Sequence, residues 1–132
     1  MGASQQKTRI LIADDHRLIR NALKHIFNDL PDMEIVGEAK NSEEVFQQIE
    51  RSAPDVIVLD LNMPEKDGLE ILQQLRAENN AIPAVILTLY PEERFKNSAF
   101  AQGAVAFLTK ECNPEELISA IRKARSNLQE LQ

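Results

Sequence analysis

Several function classes need residues that this chain has little of. It has one cysteine, Cys112, so an intrachain disulfide is excluded and a reducing compartment is expected. Beside that cysteine there are only two histidines, so no His/Cys cluster can hold zinc or iron. Neither G-x-G-x-x-G nor G-x-x-x-x-G-K-[ST] occurs, which weighs against a dinucleotide or flavin module and against a P-loop. No apolar run is long enough to cross a membrane, and the polar start does not look like a signal peptide. The expected location is the cytoplasm, with no membrane partner. Positive charge is in deficit, with 15 Lys and Arg against 21 Asp and Glu and a net charge of -6. Such a domain does not itself grip nucleic acid, so any DNA contact would come through another domain.

What is present is an ordinary globular balance of 43% hydrophobic and 27% charged residues over 132 positions. That length favours one domain with a core that needs no staples. Residues 1–7 are expected to be a disordered lead-in and 8–132 the domain. The central feature is Val56-Ile57-Val58-Leu59-Asp60-Leu61-Asn62-Met63-Pro64. This short run is rich in β-branched residues, has prolines at both ends, and suits a strand buried on both faces of a parallel sheet. Three more buried strands are predicted at Arg9–Ala13, Ala84–Leu87 and Ala104–Leu108, and an outer strand at Glu34–Ala39.

Helices are predicted between the strands. The first has a buried stripe of Leu18, Ile19, Ala22, Leu23, Ile26, Phe27 and Leu30. Asn41 N-caps the second, with Glu44 at its third position. Gly68, free to take an unusual backbone angle, closes a turn before the third, which buries Leu69, Leu72 and Leu75. Pro91 opens the fourth and Gly103 closes it, while Asn113-Pro114 starts the fifth. About five strand–helix units in this order predict an α/β fold, a doubly wound parallel sheet with helices on both faces.

Four strands end in polar residues: Asp14-Asp15, Asp60, Thr88 and Lys110. Parallel strands bring their carboxyl ends to one rim, where open α/β sheets bind ligands. Three carboxylates gathered there repel one another. A hard divalent cation relieves that, and magnesium pairs naturally with oxygen donors and phosphate. The rim therefore suits phosphoryl chemistry.

These residues, together with Met63-Pro64, Gly68 and Phe107, resemble the receiver domain of a two-component response regulator over about Arg9 to Leu128. Ile12-Ala13-Asp14-Asp15-His16 and Asp60-Leu61-Asn62-Met63-Pro64 resemble the branch that carries a LuxR-type helix-turn-helix output domain. The resemblance implies a flavodoxin-like five-stranded sheet and a set of residue roles. Asp60 would accept a phosphoryl group from a sensor histidine kinase. Asp15, Asp60 and the backbone carbonyl of Asn62 would hold magnesium, with Asp14 acting mostly through water. Thr88 would bond a phosphoryl oxygen and Lys110 would pair with the carboxylate and then the phosphate. Phe107 would turn inward as Thr88 moves. The domain would switch an output, through a phosphorylation-dependent homodimer, without turning over an external substrate. Three positions depart from the pattern: Arg17 stands where proline is common, Glu111 follows Lys110 in place of proline, and Phe107 lacks a tyrosine hydroxyl. The isomer of the Lys110–Glu111 bond is open at this point.

Plainer readings exist for some of these residues. Asp14-Asp15 could cap the first helix. Phe107 could be core packing, and His16 an exposed residue in a helix's first turn. His25 faces away from the apolar stripe, and Cys112 has no partner base nearby. A haloacid-dehalogenase-type phosphatase would want a second aspartate two positions after Asp60, where Asn62 stands. In the last helix Leu117, Ile121, Ala124, Leu128 and Leu131 follow a heptad-like spacing. Its end is expected to lead on into an output domain or a dimer contact.

Overall fold

The computed structural model describes residues 7–130, with side chains through 126. Five parallel strands form one sheet in the order β2-β1-β3-β4-β5. The strands are β1 (Thr8–Ala13), β2 (Met33–Ala39), β3 (Val56–Leu59), β4 (Ala84–Thr88) and β5 (Ala104–Thr109). The helices are α1 (Arg17–Asn28), α2 (Ser42–Ser52), α3 (Gly68–Ala77), α4 (Glu93–Ala101) and α5 (Pro114–Glu130). This is the predicted doubly wound fold.

The strand side chains alternate between two cores. Leu11, Ile57, Leu59 and Ile86 pack with Val45, Ile71, Leu72, Leu75 and Ala99 from α2, α3 and α4. Ile10, Ile12, Val56, Val58 and Val85 pack with Leu23, Phe27, Leu117 and Ile121 from α1 and α5. Burial on both faces is why the central strands are apolar throughout rather than alternating. β2 is an edge strand, and its middle residues are only half-buried.

Local signals hold at several element ends. Asn41 caps α2 by accepting the Glu44 N–H at 2.9 Å. Asp67 and Glu70 form a reciprocal capping box on α3. Gly103, with φ +87°, follows the last turn of α4, where a left-handed residue suits glycine.

Three expectations need correction. Leu18 is 83% exposed and Ala22 is exposed too, so the buried stripe of α1 is narrower than its spacing predicts. Pro91 lies before the N-cap Glu92, so α4 begins at Glu93. Gly68 does not use a left-handed angle; Glu65 takes that conformation in the preceding turn, with φ 73°. Gly68 is needed for close approach instead, because a Cβ there would lie 2.5 Å from the backbone oxygen of Asp60. The plainer reading of Asp14-Asp15, as caps of α1, does not hold. Its N-cap is His16, with no side-chain cap. Every described peptide bond is trans, Lys110–Glu111 included. Leu128 and Leu131, the outer part of the heptad-like seam, lie outside the residues whose side chains are described.

Candidate functional site at the carboxyl rim

The sheet register sets the site. Ala13 pairs with Leu59, and the next N–H along β3, that of Asp60, donates to the Ala13 carbonyl at 2.9 Å. Asp14 continues β1 by donating to the Ala39 carbonyl at 2.9 Å. The Lys110 N–H donates to the Thr88 carbonyl at 2.8 Å. Ladder geometry thus carries residues 46 positions apart in sequence, Asp14 and Asp60, to adjacent places. They sit where the strand order reverses, between β1 and β3.

Asp14 and Asp60 are both buried, each 2% exposed, and one buried ammonium lies between them. Lys110 Nζ is 2.8 Å from Asp14 Oδ2 and 3.1 Å from Asp60 Oδ2. The Asn62 N–H donates to Asp60 Oδ1 at 3.1 Å. Burial pushes the Asp60 carboxyl above its ordinary range, and the nearby charge of Asp14 adds to this. The Asn62 N–H and Lys110 act in the opposite direction without cancelling it. Asp15 is more exposed and lies at the mouth of the cluster.

His16 belongs to the same cluster. Its Nδ1 is 2.9 Å from Asp14 Oδ1, 3.2 Å from Asp15 Oδ1 and 3.9 Å from Asp60 Oδ2. The plainer reading of His16 is an exposed residue in a helix's first turn; it is the N-cap of α1 and its side chain is half-exposed, but the ring faces the carboxylates. The available signal was adjacency: a histidine following an acidic pair at a strand end shares the rim with it. His25, by contrast, is exposed as expected.

Thr88 is fully buried, and its hydroxyl accepts the Tyr90 N–H at 3.1 Å. A small cavity of about 50 Å³ beside it is bounded by Leu61, Asn62, Leu69, Tyr90 and Phe95. Phe107 is not part of that lining. It pairs with Ile86 on β4 and packs, half-buried, against the core under α2–α4. The structure therefore brings Asp14, Asp15, Asp60 and Lys110 together, with Asn62 touching Asp60, and sets Phe107 to one side.

The donors at the rim are oxygens of Asp14, Asp15 and Asp60 and one nitrogen of His16, all within 4.8 Å of one another. A cluster dominated by carboxylates fits a hard divalent cation such as magnesium. A doubly wound parallel sheet with such a cluster at its switch point defines an α/β protein that handles its ligand at an acidic carboxyl rim.

Comparison with known proteins makes that class specific. The family model described as the response regulator receiver domain matches residues 10–122, and the chain belongs to that family. The nitrate/nitrite response regulator NarL of Escherichia coli is 36% identical over 122 residues, covering 92% of this chain and 56% of NarL. The chain thus spans about half the length of such a relative. Crystal structures agree. A two-component response regulator of the LuxR family from an Aurantimonas species superposes with a TM-score of 0.86 at 29% identity, covering 92% of this chain and 87% of that one. A DNA-binding response regulator of the LuxR family from Staphylococcus aureus gives 0.82 at 30% identity, covering 89% and 98%. Among the described residues no helix is long and apolar enough to cross a membrane.

Proposed function

We propose that the chain is a phospho-acceptor switch. Asp60 takes a phosphoryl group from a sensor histidine kinase in a magnesium-dependent reaction. The observation that carries this reading is the buried Asp60 carboxylate, which shares one ammonium with Asp14 beside two further acidic or imidazole groups. A carboxylate so placed has its attacking oxygen fixed at the rim. Asp15, Asp60 and the Asn62 carbonyl would hold magnesium, with Asp14 acting through water. When bound, magnesium supplies neutralisation of phosphoryl oxygen charge.

The chain's own residues do the rest. Lys110 holds Asp60 in place and then pairs with the phosphoryl oxygen. The Thr88 hydroxyl gives up its Tyr90 contact to donate to another phosphoryl oxygen. Phe107 follows inward, and the α4 side of the domain shifts as one of two pre-existing states gains population. The acceptor serves one turnover per signal and no external substrate.

The setting is a cytoplasmic signalling pathway. The acidic domain leaves DNA to a separate output domain of the LuxR type, reached through a phosphorylation-dependent homodimer. The Staphylococcus aureus relative described as DNA-binding supports that output class. Acetyl phosphate with magnesium should add one phosphoryl group by intact mass, and Asp60→Asn should remove it. Labelling that persists undiminished in Asp60→Asn sinks the reading.

A further inference from the structure

We infer that Arg76 is the fulcrum on which α4 turns: it clamps the carboxyl end of that helix and leaves the amino end, beside the rim, free to swing. The inference rests on the reading that the α4 side of the domain shifts, and adds to it the point about which the shift occurs.

Three observations carry it. The first is the clamp. Arg76 lies in the last turn of α3 and is half-buried. Its Nε donates to the Gln102 carbonyl at 2.7 Å, and its Nη1 to the carbonyls of Asn80 and Ile82, each at 2.9 Å. Its Nη2 reaches the Gly103 carbonyl at 3.4 Å. Asn80 and Ile82 lie between α3 and β4, and Gln102 and Gly103 between α4 and β5. One planar guanidinium therefore ties the ends of two helices to the entries of two strands. Among the described residues no carboxylate pairs with it, so its charge is met by carbonyls, which gather partial negative charge at helix ends.

The second is the looseness of the opposite end. The N-cap of α4, Glu92, makes no side-chain cap, and Ala99 is the helix's one fully buried residue. Ala99 stands within a turn of the clamp. From Glu93 to Ser98 only Phe95 is half-buried, and the rest are exposed. Phe95 borders the cavity of about 50 Å³ that also touches Leu61, Leu69 and Thr88. The amino end thus has few contacts to break and room to enter.

The third is a link from the rim to that loose end. The Tyr90 N–H donates to the Thr88 hydroxyl at 3.1 Å, and the Glu92 N–H donates to the Tyr90 carbonyl at 2.8 Å. When Thr88 turns to a phosphoryl oxygen, this chain of bonds opens at the amino end of α4. Nothing in that change reaches the bonds of Arg76. A rod released at one end and held at the other turns about the held end.

The test is NMR of the whole chain before and after adding beryllofluoride, a phosphoryl mimic, with magnesium. Residual dipolar couplings should show the α4 axis turned relative to the strands, while the Arg76 Nε–H stays protected from solvent exchange in both states. A helix that shifts without turning, or an Nε–H that loses protection on loading, overturns this inference alone. Changes confined to the rim overturn it together with the α4 part of the switch and leave the phospho-acceptor reading standing. No change anywhere overturns that reading as well. Arg76→Gln supplies a second check. Acetyl phosphate should label it to the wild-type stoichiometry, but the amides of Gln102 and Gly103 should exchange about tenfold faster or more. Beryllofluoride should then displace that end of α4, which stays in place in wild type. Unchanged exchange, or an unmoved carboxyl end in the loaded variant, overturns the clamp.

Discussion

One short strand, β3, has an aspartate beside each end, and the two carboxylates meet opposite circumstances. Asp55 precedes the strand. It accepts the Arg9 N–H at 2.9 Å and a guanidinium N–H of Arg125 at 2.8 Å. Asp60 follows the strand, shares its one ammonium with Asp14, and lies beside Asp15. Asp55 is matched by donors and ties β1, β3 and α5 together. Asp60 stands in surplus negative charge with little water. The same residue type is a structural tie at the amino end and, on the proposed function, the phospho-acceptor at the carboxyl end. What differs is the balance of donors to acceptors around it.

Chemistry should separate the two most sharply. With acetyl phosphate and magnesium, Asp60→Asn should lose labelling completely while Asp55→Asn keeps it at the wild-type stoichiometry. Loss of labelling in folded Asp55→Asn would break the contrast.

The next effect concerns the shared ammonium. Lys110→Met leaves buried carboxylates facing each other, which should cost about 3–5 kcal/mol in urea unfolding without metal. Magnesium should restore part of that loss, because it supplies the missing positive charge. A variant as stable as wild type, or one indifferent to magnesium, contradicts the proposed charge balance.

Stability should also move in opposite directions at the two aspartates. Asp55→Asn weakens charged hydrogen bonds in a partly buried setting and should cost about 1–3 kcal/mol. Asp60→Asn removes a charge that burial and Asp14 both disfavour, so the metal-free protein should melt higher than wild type. Thermal unfolding in a chelator reads both, and shifts of the same sign would show that the two ends are alike.

The smallest effect lies away from both ends. Burial alone would raise the Glu38 carboxyl, but hydrogen bonds from Lys24 and Arg20 outweigh it and hold it below its ordinary range. A depressed carboxyl contributes stability that is present above its unfolded value of 4.5 and is lost as pH falls through the folded one. Glu38→Gln should therefore cost at most about 1 kcal/mol at neutral pH, its side chain being about a third exposed. That deficit should shrink as pH falls below 4.5. A deficit that grows on acidification has the wrong sign.

Much of the fold was legible because its signals are local. The apolar runs at Ile10–Ala13, Val56–Leu59 and Ala84–Leu87 are strands because each is short, apolar throughout and followed by a polar end. The cap at Asn41 and the start of α5 at Asn113-Pro114 depend only on the next few residues. The buried stripe of α1 is narrower than its spacing predicts, because periodicity shows which residues can share a face, not how much of that face the sheet covers. Leu18, about 100° round the helix from Ile19, lies at the edge of that stripe and is 83% exposed. At the rim, Asp14, Asp60 and Lys110 were legible as strand ends. The ring of His16 was not, because its direction depends on carboxylates delivered by β3 as well as by its own segment.

By itself the sequence determined the order and type of the elements and which residues lie at strand ends, since hydrophobic period, caps and turn residues act over a few positions. Tertiary structure alone decided that β1 lies between β2 and β3, and so that Asp14 stands beside Asp60. It also decided that Asp55 finds an arginine while Asp60 finds more acid, and that Gly68 is required by the closeness of the Asp60 backbone rather than by its own angle. The physical reason is range. Propensity acts along the chain, whereas charge balance and steric contact act through space, between groups that only the completed sheet brings together.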